Sequence, residues 1–265
     1  MGKRQFPRWS DLKPIIGFKS PFSRSDEVSR AVTISQLRSI AKAKTPRAVF
    51  DYTDGAAGEE LSYARAYEAY RQLEFHPRVL RDVSKVDTSI KVFGTESALP
   101  FIFGPTGFTR MMHYHGEAAV AKVAAEFGIP YTLSTLGTTS IEDLAAAAPS
   151  TRRWFQLYLW RDKTTRYELV ERAASAGYEA IMLTVDTVVG GMRVRDVNNG
   201  LTIPPQLTFK TMADMARYPK WWGNLLTSAP LEFASLKSTG GTVAELINSV
   251  FDPSITMKDV DWLKQ

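Results

Sequence analysis

Apolar and polar positions change rhythm along the chain, and each rhythm predicts an element. From Thr33 to Phe75 apolar residues recur at helical spacing. Thr33 reads as an N-cap before Ile34, Leu37 and Ile40, and Pro46 opens the next helix at its first turn. The stretch "VLRDVSKVDTSIKVFGTESAL" then alternates like a short hairpin with Gly94 in its turn. From Leu99 short apolar runs alternate with helical segments. "PFIFGPT" precedes "GEAAVAKVAAEFG", closed by Gly128 as a C-terminal cap, and "PYTLST" precedes "SIEDLAAAAP", capped by Ser140 with Asp143 three residues on. "RWFQLYLW" precedes "DKTTRYELVERAASAGY", where Tyr167, Val170, Ala173 and Ala174 keep helical spacing, and "EAIMLTVDT" forms the fourth run.

Four successive βα units of this kind predict an α/β fold, either a doubly wound sheet or a (β/α)8 barrel. Polar side chains at the C-terminal ends of the runs favour the barrel: Thr106, Ser134, Gln156, Tyr158, Thr184 and Asp186 all fall there. "GPTGFT" does not match the dinucleotide-binding G-x-G-x-x-G pattern. The stretch 188–253, rich in Trp, Pro and Gly, reads as one long loop of the lid or binding kind. A last helix is expected after Ser254 or Thr256, and residues 1 to 30 read as an irregular surface wrap.

Composition narrows the function classes. The 265 residues are 44% hydrophobic and 23% charged, enough for a buried core. The 33 basic residues exceed the 28 acidic ones by five, but they are scattered rather than clustered, so a nucleic-acid partner is not expected. Anionic small substrates or an acidic membrane surface suit the mild excess better. The absence of cysteine excludes disulfides, thiolate nucleophiles and thiolate metal sites, and permits a reducing cytosol. The N-terminus has no apolar stretch behind its basic start, so no secretory signal is expected, and no run approaches the ~20 apolar residues of a membrane span. His113 and His115 lack the carboxylate spacing of a metal motif and read as surface or capping residues; no metal is expected.

Several segments, in order, resemble the FMN-dependent α-hydroxy-acid dehydrogenases and oxidases: "RAVFDYTDGAAGEELSYARAYEAYRQLEFHPRVLRDV", "PTGFTRMMHYHGE", "WFQLYLWRD", "LTVDT", "RVRDVNNGLTIPPQLT" and "FDPSITMKDVDWLK". Within that family they look most similar to the L-lactate dehydrogenase and lactate monooxygenase branch. The resemblance implies an FMN-linked (β/α)8 barrel, of which this chain holds the N-terminal helices and about the first four βα units. Residues 1–98 would form a helical segment with the hairpin, and 99–265 the first half of the barrel with the long loop.

The same resemblance places the backbone of Pro105, Thr106 and Gly107 against the flavin ring, where a residue without a Cβ permits close approach. Ser134, Gln156 and Thr184 match groups that bond the ring. Gly107, where the oxidase branch usually carries Ala, implies dehydrogenase or monooxygenase behaviour. Tyr52 and Tyr158 match tyrosines that touch the substrate carboxylate and hydroxyl, and Arg193 an arginine near the substrate entrance, whose fork suits a carboxylate. Arg195 reads as a solvated loop charge. Asp186 matches the carboxylate that orients a catalytic histidine, a task suited to a buried Asp; none of His76, His113 and His115 matches that histidine.

The implied activity is oxidation of a small L-2-hydroxy acid, L-lactate to pyruvate first among them. A quinone, cytochrome or oxygen would take the electrons. A cytoplasmic location is implied, with peripheral contact at the inner face of the cell membrane allowed, and a homo-oligomer if the protein is complete. Without the family's second half the 265-residue chain alone is expected to be inactive. The alternative is a non-catalytic remnant or half-barrel module that needs a partner chain. A sugar-phosphate isomerase on a related barrel is disfavoured because no phosphate-binding loop is visible.

Overall fold

The computed structural model describes residues 27–187, 189–200, 209–236 and 252–264. The expected surface wrap lies, for residues 1–26, outside the described residues. The chain divides into two compact units, Met1–Ala43 and Lys44–Gln265. The first carries most of helix α1 (Ile34–Lys44). Its start is a reciprocal cap: the Gln36 amide N–H donates to Thr33 Oγ1 at 3.2 Å, and Gln36 Oε1 accepts from the backbone N–H of Val32 and Thr33.

The second unit opens with α2 (Arg47–Asp54), which has Pro46 at its N-cap and buries Val49 and Phe50, and continues with α3 (Leu61–Arg71). The hairpin forms as expected: β1 (Ile90–Val92) pairs antiparallel with β2 (Thr95–Ser97). Phe93 and Gly94 between them both have positive φ, 52° and 78°, the conformation of a two-residue hairpin turn. Phe93 meets Trp154 with ring centroids 5.2 Å apart.

The parallel sheet has the order β3 (Tyr131–Ser134), β4 (Arg153–Tyr158), β5 (Ala180–Thr184). Ser134 stands opposite Gln156, and Tyr158 opposite Thr184. Strand side chains alternate between faces. One set, Tyr131, Leu133, Phe155, Leu157, Ile181 and Leu183, packs on α5 (Gly116–Glu126), α6 (Ile141–Ala147) and α7 (Lys163–Ser175) through Ala121, Ala124, Ile141, Leu144, Leu169 and Ala173. Each fully buried Leu or Phe side chain in this layer contributes roughly 1.5–3 kcal/mol relative to exposure. Asp143 N donates to Ser140 Oγ at 3.0 Å, capping α6, and Asp162 caps α7. Gly128, with φ of 63°, turns the chain after α5.

Two expectations are corrected. Pro100–Phe103 does not form a strand. It contributes one parallel bridge, Phe103 to Tyr131, carried by Phe103 N donating to Pro130 O and Thr132 N to Phe103 O. Prolines at 100 and 105 remove ladder donors at both ends of the run. Nor is 188–253 one loop. Its described residues include α8 (Val194–Asn199), α9 (Phe209–Ala216) and α10 (Pro219–Leu226). α10 and the segment beyond it are tied down: Trp221 Nε1 donates to Met111 O at 2.9 Å, Phe233 meets Phe108 edge to face at 4.4 Å, and Ala234 N donates to Gly137 O. Residues 201–208 and 237–251 of that expected loop lie outside the described residues. The last helix is present as a 3₁₀ segment, Met257–Lys264. Thr256 and Asp259 close its start, and Trp262 packs on Tyr167.

Candidate functional site

The sheet face opposite the helices ends in a line of polar side chains. Gln156, in the middle strand, is buried. Its Oε1 accepts from Ser134 Oγ at 3.2 Å and from Thr135 N at 3.1 Å, and its Nε2 donates to Thr184 Oγ1 at 2.8 Å. Thr135 also donates its hydroxyl to Gln156 O, and Ser134 Oγ accepts from Leu136 N at 3.1 Å. Three residues singled out from sequence are therefore joined in one chain of hydrogen bonds. Thr135, which also holds the amide, carries no local signal of its partner, because it is a turn residue just past the end of β3 and reaches across to the neighbouring strand.

The turn Pro105–Gly107 adjoins this line. Phe108 N donates to Leu136 O at 3.0 Å, and a Cβ on Gly107 would lie 3.3 Å from Leu136 Cβ and 3.9 Å from Ser134 Oγ. Thr106 is exposed, its carbonyl accepting from Thr109 Oγ1, and nothing stands within 4 Å of a Cβ built on Gly104. Below it Glu117, fully buried, accepts from Thr138 N, Thr138 Oγ1 and Thr139 Oγ1 at 2.6–2.8 Å, fixing the loop after β3 to the start of α5. Its acidic place in a first helical turn is legible; its partners, over twenty residues away, are not.

A second group gathers where α2 meets α8. The Arg193 guanidinium lies 5.1 Å over the Tyr52 ring. Its Nε donates to Asp196 Oδ2 at 2.5 Å, and its Nη2 to the carbonyls of Tyr52 and Gly55. Nη1 donates to nothing among the described residues. Burial pushes the Tyr52 phenol up, opposed by the Arg193 charge and aided by Asp196 and Tyr158. Burial likewise raises Tyr158, with the Asp186 charge adding to it. Tyr52, Tyr158, Arg193 and Asp186 thus share one electrostatic neighbourhood, and both phenols stay protonated donors at neutral pH.

Asp186 is exposed beyond the end of β5, not buried as its expected task would suit, and no histidine hydrogen bonds to it among the described residues. His113 and His115 cap α4 (Thr109–Met112) and α5, exposed and stacked beside Tyr114, as expected. No group of three or more metal-ligating side chains occurs among the described residues. Arg195 is no solvated loop charge: it pairs with Asp54 at 3.1 Å, Asp51 at 3.8 Å and Glu60. A spacing of two from Arg193 hides this, because on a helix such residues diverge.

The strand-end line retains one N–H on Gln156, the Thr184 hydroxyl proton and one acceptor lone pair on Ser134. That mixed set beside a turn with little side chain fits the pyrimidine edge of a flavin, which carries both donors and acceptors. The fold and site thus define an α/β chain with a line of polar side chains at the C-terminal ends of parallel strands. Residues 41–265 match the model of the family described as FMN-dependent dehydrogenase. The chain is 52% identical over 263 residues to a Mycobacterium tuberculosis protein named "Putative L-lactate dehydrogenase", covering 98% of this chain and 64% of that protein. It is 35% identical to an L-lactate dehydrogenase of Serratia proteamaculans, covering 87% of this chain and 62% of the relative. A solved structure of the monotopic membrane protein (S)-mandelate dehydrogenase superposes with a TM-score of 0.80 at 30% identity, over 87% of this chain and 62% of that one. The chain belongs to the FMN-dependent dehydrogenase family and spans less than two thirds of the length of these relatives.

Proposed function

We propose that the protein oxidises a small L-2-hydroxy acid, L-lactate to pyruvate first among them, with FMN as cofactor. When bound, the flavin accepts the two electrons that leave the substrate carbon. Pro105, Thr106 and Gly107 would lie along the ring, and Ser134, Gln156 and Thr184 would hold its polar edge. The observation that carries the reading is that Tyr158, opposite Thr184 at the strand ends, acts electrostatically on Tyr52, over whose ring Arg193 lies. Nη1 of Arg193, which donates to nothing among the described residues, offers two donors to a carboxylate, while its other nitrogens fix the plane of the fork. Tyr52 adds a phenol donor beside it, and Tyr158 donates toward the substrate oxygen that becomes the ketone. The charge of Asp186, which acts on Tyr158, would orient and stabilise the protonated form of the base; none of His76, His113 and His115 is assigned as that base. The test is anaerobic and uses the full-length protein that contains this sequence: loaded with FMN, it should lose its visible flavin absorbance on addition of L-lactate, whereas the 265-residue chain alone should not.

The electrons would pass to a quinone, a cytochrome or oxygen, and the reading includes peripheral membrane contact. The outer face of α10 supports this contact, with Trp222 and Leu226 exposed one turn apart and Lys220 beside them, while Trp221 points inward. No helix among the described residues is long and apolar enough to cross a membrane. Co-sedimentation with anionic vesicles, lost in Trp222→Ser, tests it. A second reading, a module that joins a separate chain, is favoured by the outer edge of β5, which has no strand partner among the described residues. Size-exclusion chromatography of the purified protein, alone and with candidate partners, separates the two.

A further inference from the structure

α2 ends badly for a helix. Asp51 and Asp54 fall in its last turn, where the aligned backbone dipoles already present partial negative charge, and Glu60 follows on the next loop. Left alone, these three carboxylates would repel one another and the helix end. Arg47 Nε pairs with Asp51 Oδ2 at 3.3 Å, but one cation reaches all three acids: Nη1 of Arg195 pairs with Asp54 Oδ2 at 3.1 Å and Asp51 Oδ1 at 3.8 Å, and Nη2 with Glu60 Oε2. The same acids are tied elsewhere. Asp51 Oδ2 accepts from Asn199 Nδ2 at 2.8 Å, and Glu60 Oε1 accepts from Ala56 N at 3.0 Å. The loop Gly55–Glu60 is therefore closed on itself and held against α8, where Gly58 N donates to Met192 O at 2.8 Å. Fit is tight: a Cβ on Gly55 would come within 2.6 Å of Asp51 O and 3.1 Å of Arg195 Cδ, and one on Gly191 within 3.1 Å of Ala57 Cβ.

We propose that Arg195 is a positioning residue of the substrate site, clamping the start of α8 onto the end of α2 so that Arg193 stays over Tyr52. Arg193 stands at the N-cap of α8, two residues from Arg195, and two of its own bonds go to carbonyls at the end of α2. Release of the clamp would let Arg193 and Tyr52 part. The strand-end line that would hold the flavin shares no hydrogen bond with the clamp, so its loss should act on carboxylate binding and spare the cofactor. This inference rests on the hydroxy-acid reading above for its ligand, but not for its geometry.

The test uses Arg195→Gln, Arg195→Lys and Glu60→Gln in the full-length protein that contains this sequence, loaded with FMN. The readouts are KM and kcat for L-lactate, pyruvate and FMN affinity by calorimetry, and exchange of the Ala56 and Gly58 amides with deuterium. A displacement of about 1 Å in a positioning group costs up to roughly a hundredfold. R195Q should therefore raise KM and the pyruvate Kd by about ten- to a hundredfold, with FMN affinity within about twofold. The lysine variant should recover part of the loss. Combining R195Q with E60Q should add little to R195Q alone, because the two act as one unit. Amide exchange at Ala56 and Gly58 should accelerate in R195Q. Equal weakening of FMN and pyruvate would reduce Arg195 to a general structural part and overturn the proposal, as would an unchanged KM. Should the native protein neither bind pyruvate nor respond to L-lactate, the hydroxy-acid reading falls and the proposed role falls with it. Unchanged exchange in R195Q would remove the clamp itself.

Discussion

Replacing Gln156 with Met keeps the length of the side chain and removes all its hydrogen bonds. In the native protein the amide accepts from Ser134 Oγ and Thr135 N and donates to Thr184 Oγ1, at 2.8–3.2 Å, in a site with 1% exposure. The Ser134 and Thr184 hydroxyls can rotate to other acceptors, but the Thr135 N–H is fixed by the backbone and loses its partner. An unsatisfied buried donor costs about 1–3 kcal/mol, and the lost bonds of the two hydroxyls add about 0.5–1.5 kcal/mol each. Relief of the buried amide dipole offsets part of this, leaving roughly 2–3 kcal/mol. For a chain of this size that is a fall in Tm of roughly 4–12 °C, read by calorimetry without added flavin. FMN affinity should fall in the same variant, measured by quenching of flavin fluorescence. A Gln156→Met protein that melts with the native one would mean the strand ends are held together by something other than this amide.

Tyr158→Phe should slow flavin reduction by the hydroxy acid by about ten- to a hundredfold while changing FMN affinity little, as seen by stopped-flow absorbance against equilibrium titration; equal loss of both would contradict a role toward substrate. Ser140→Ala removes the cap whose hydroxyl accepts from Asp143 N, costing about 1 kcal/mol and lowering Tm by roughly 2–4 °C. Acid should weaken the α6–α7 contact: hydrogen bonds from Arg172 hold the Glu142 carboxyl below its ordinary value, so their stabilisation is full above the unfolded pKa and is lost as pH falls through the folded one. Glu142→Gln should therefore flatten the stability profile below about pH 4.5, and an unchanged acid limb in urea titrations at successive pH values would rule the pair out.

Local chemistry was legible where a residue's partner lies within a few positions. Thr33 with Gln36, Ser140 with Asp143, and Phe93–Gly94 in the hairpin turn are of this kind, and each forms as sequence predicts. The strand ends were legible for a different reason. Parallel strands buried on both faces read as apolar runs, so a polar residue at the end of each stands out. The tertiary ties were not legible. Glu117 reaches Thr138 and Thr139, and Trp221 reaches the Met111 carbonyl, across spans that no local pattern reports. In the stretch 188–253, α10 is masked by its own Trp, Pro and Gly, although Pro219 sits at a first helical turn, its preferred place. The apolar run Pro100–Phe103 suggests a strand, but the prolines at 100 and 105 supply no N–H donors, and one bridge is what forms. The role of Arg195 is not legible locally, because two acids of a helix and one of the loop after it converge on it from more than 130 residues earlier.

If the strand-end line and the Tyr52–Arg193 pair serve one reaction, flavin-dependent oxidation of a 2-hydroxy acid, one measurement reads it most directly. That is an anaerobic visible spectrum of the full-length protein that contains this sequence, reconstituted with FMN, before and after L-lactate, with D-lactate as control. The oxidised flavin bands should be lost with the L isomer, a loss strongly retarded in Arg193→Ala. A flavin-loaded protein whose spectrum no small 2-hydroxy acid changes would contradict it.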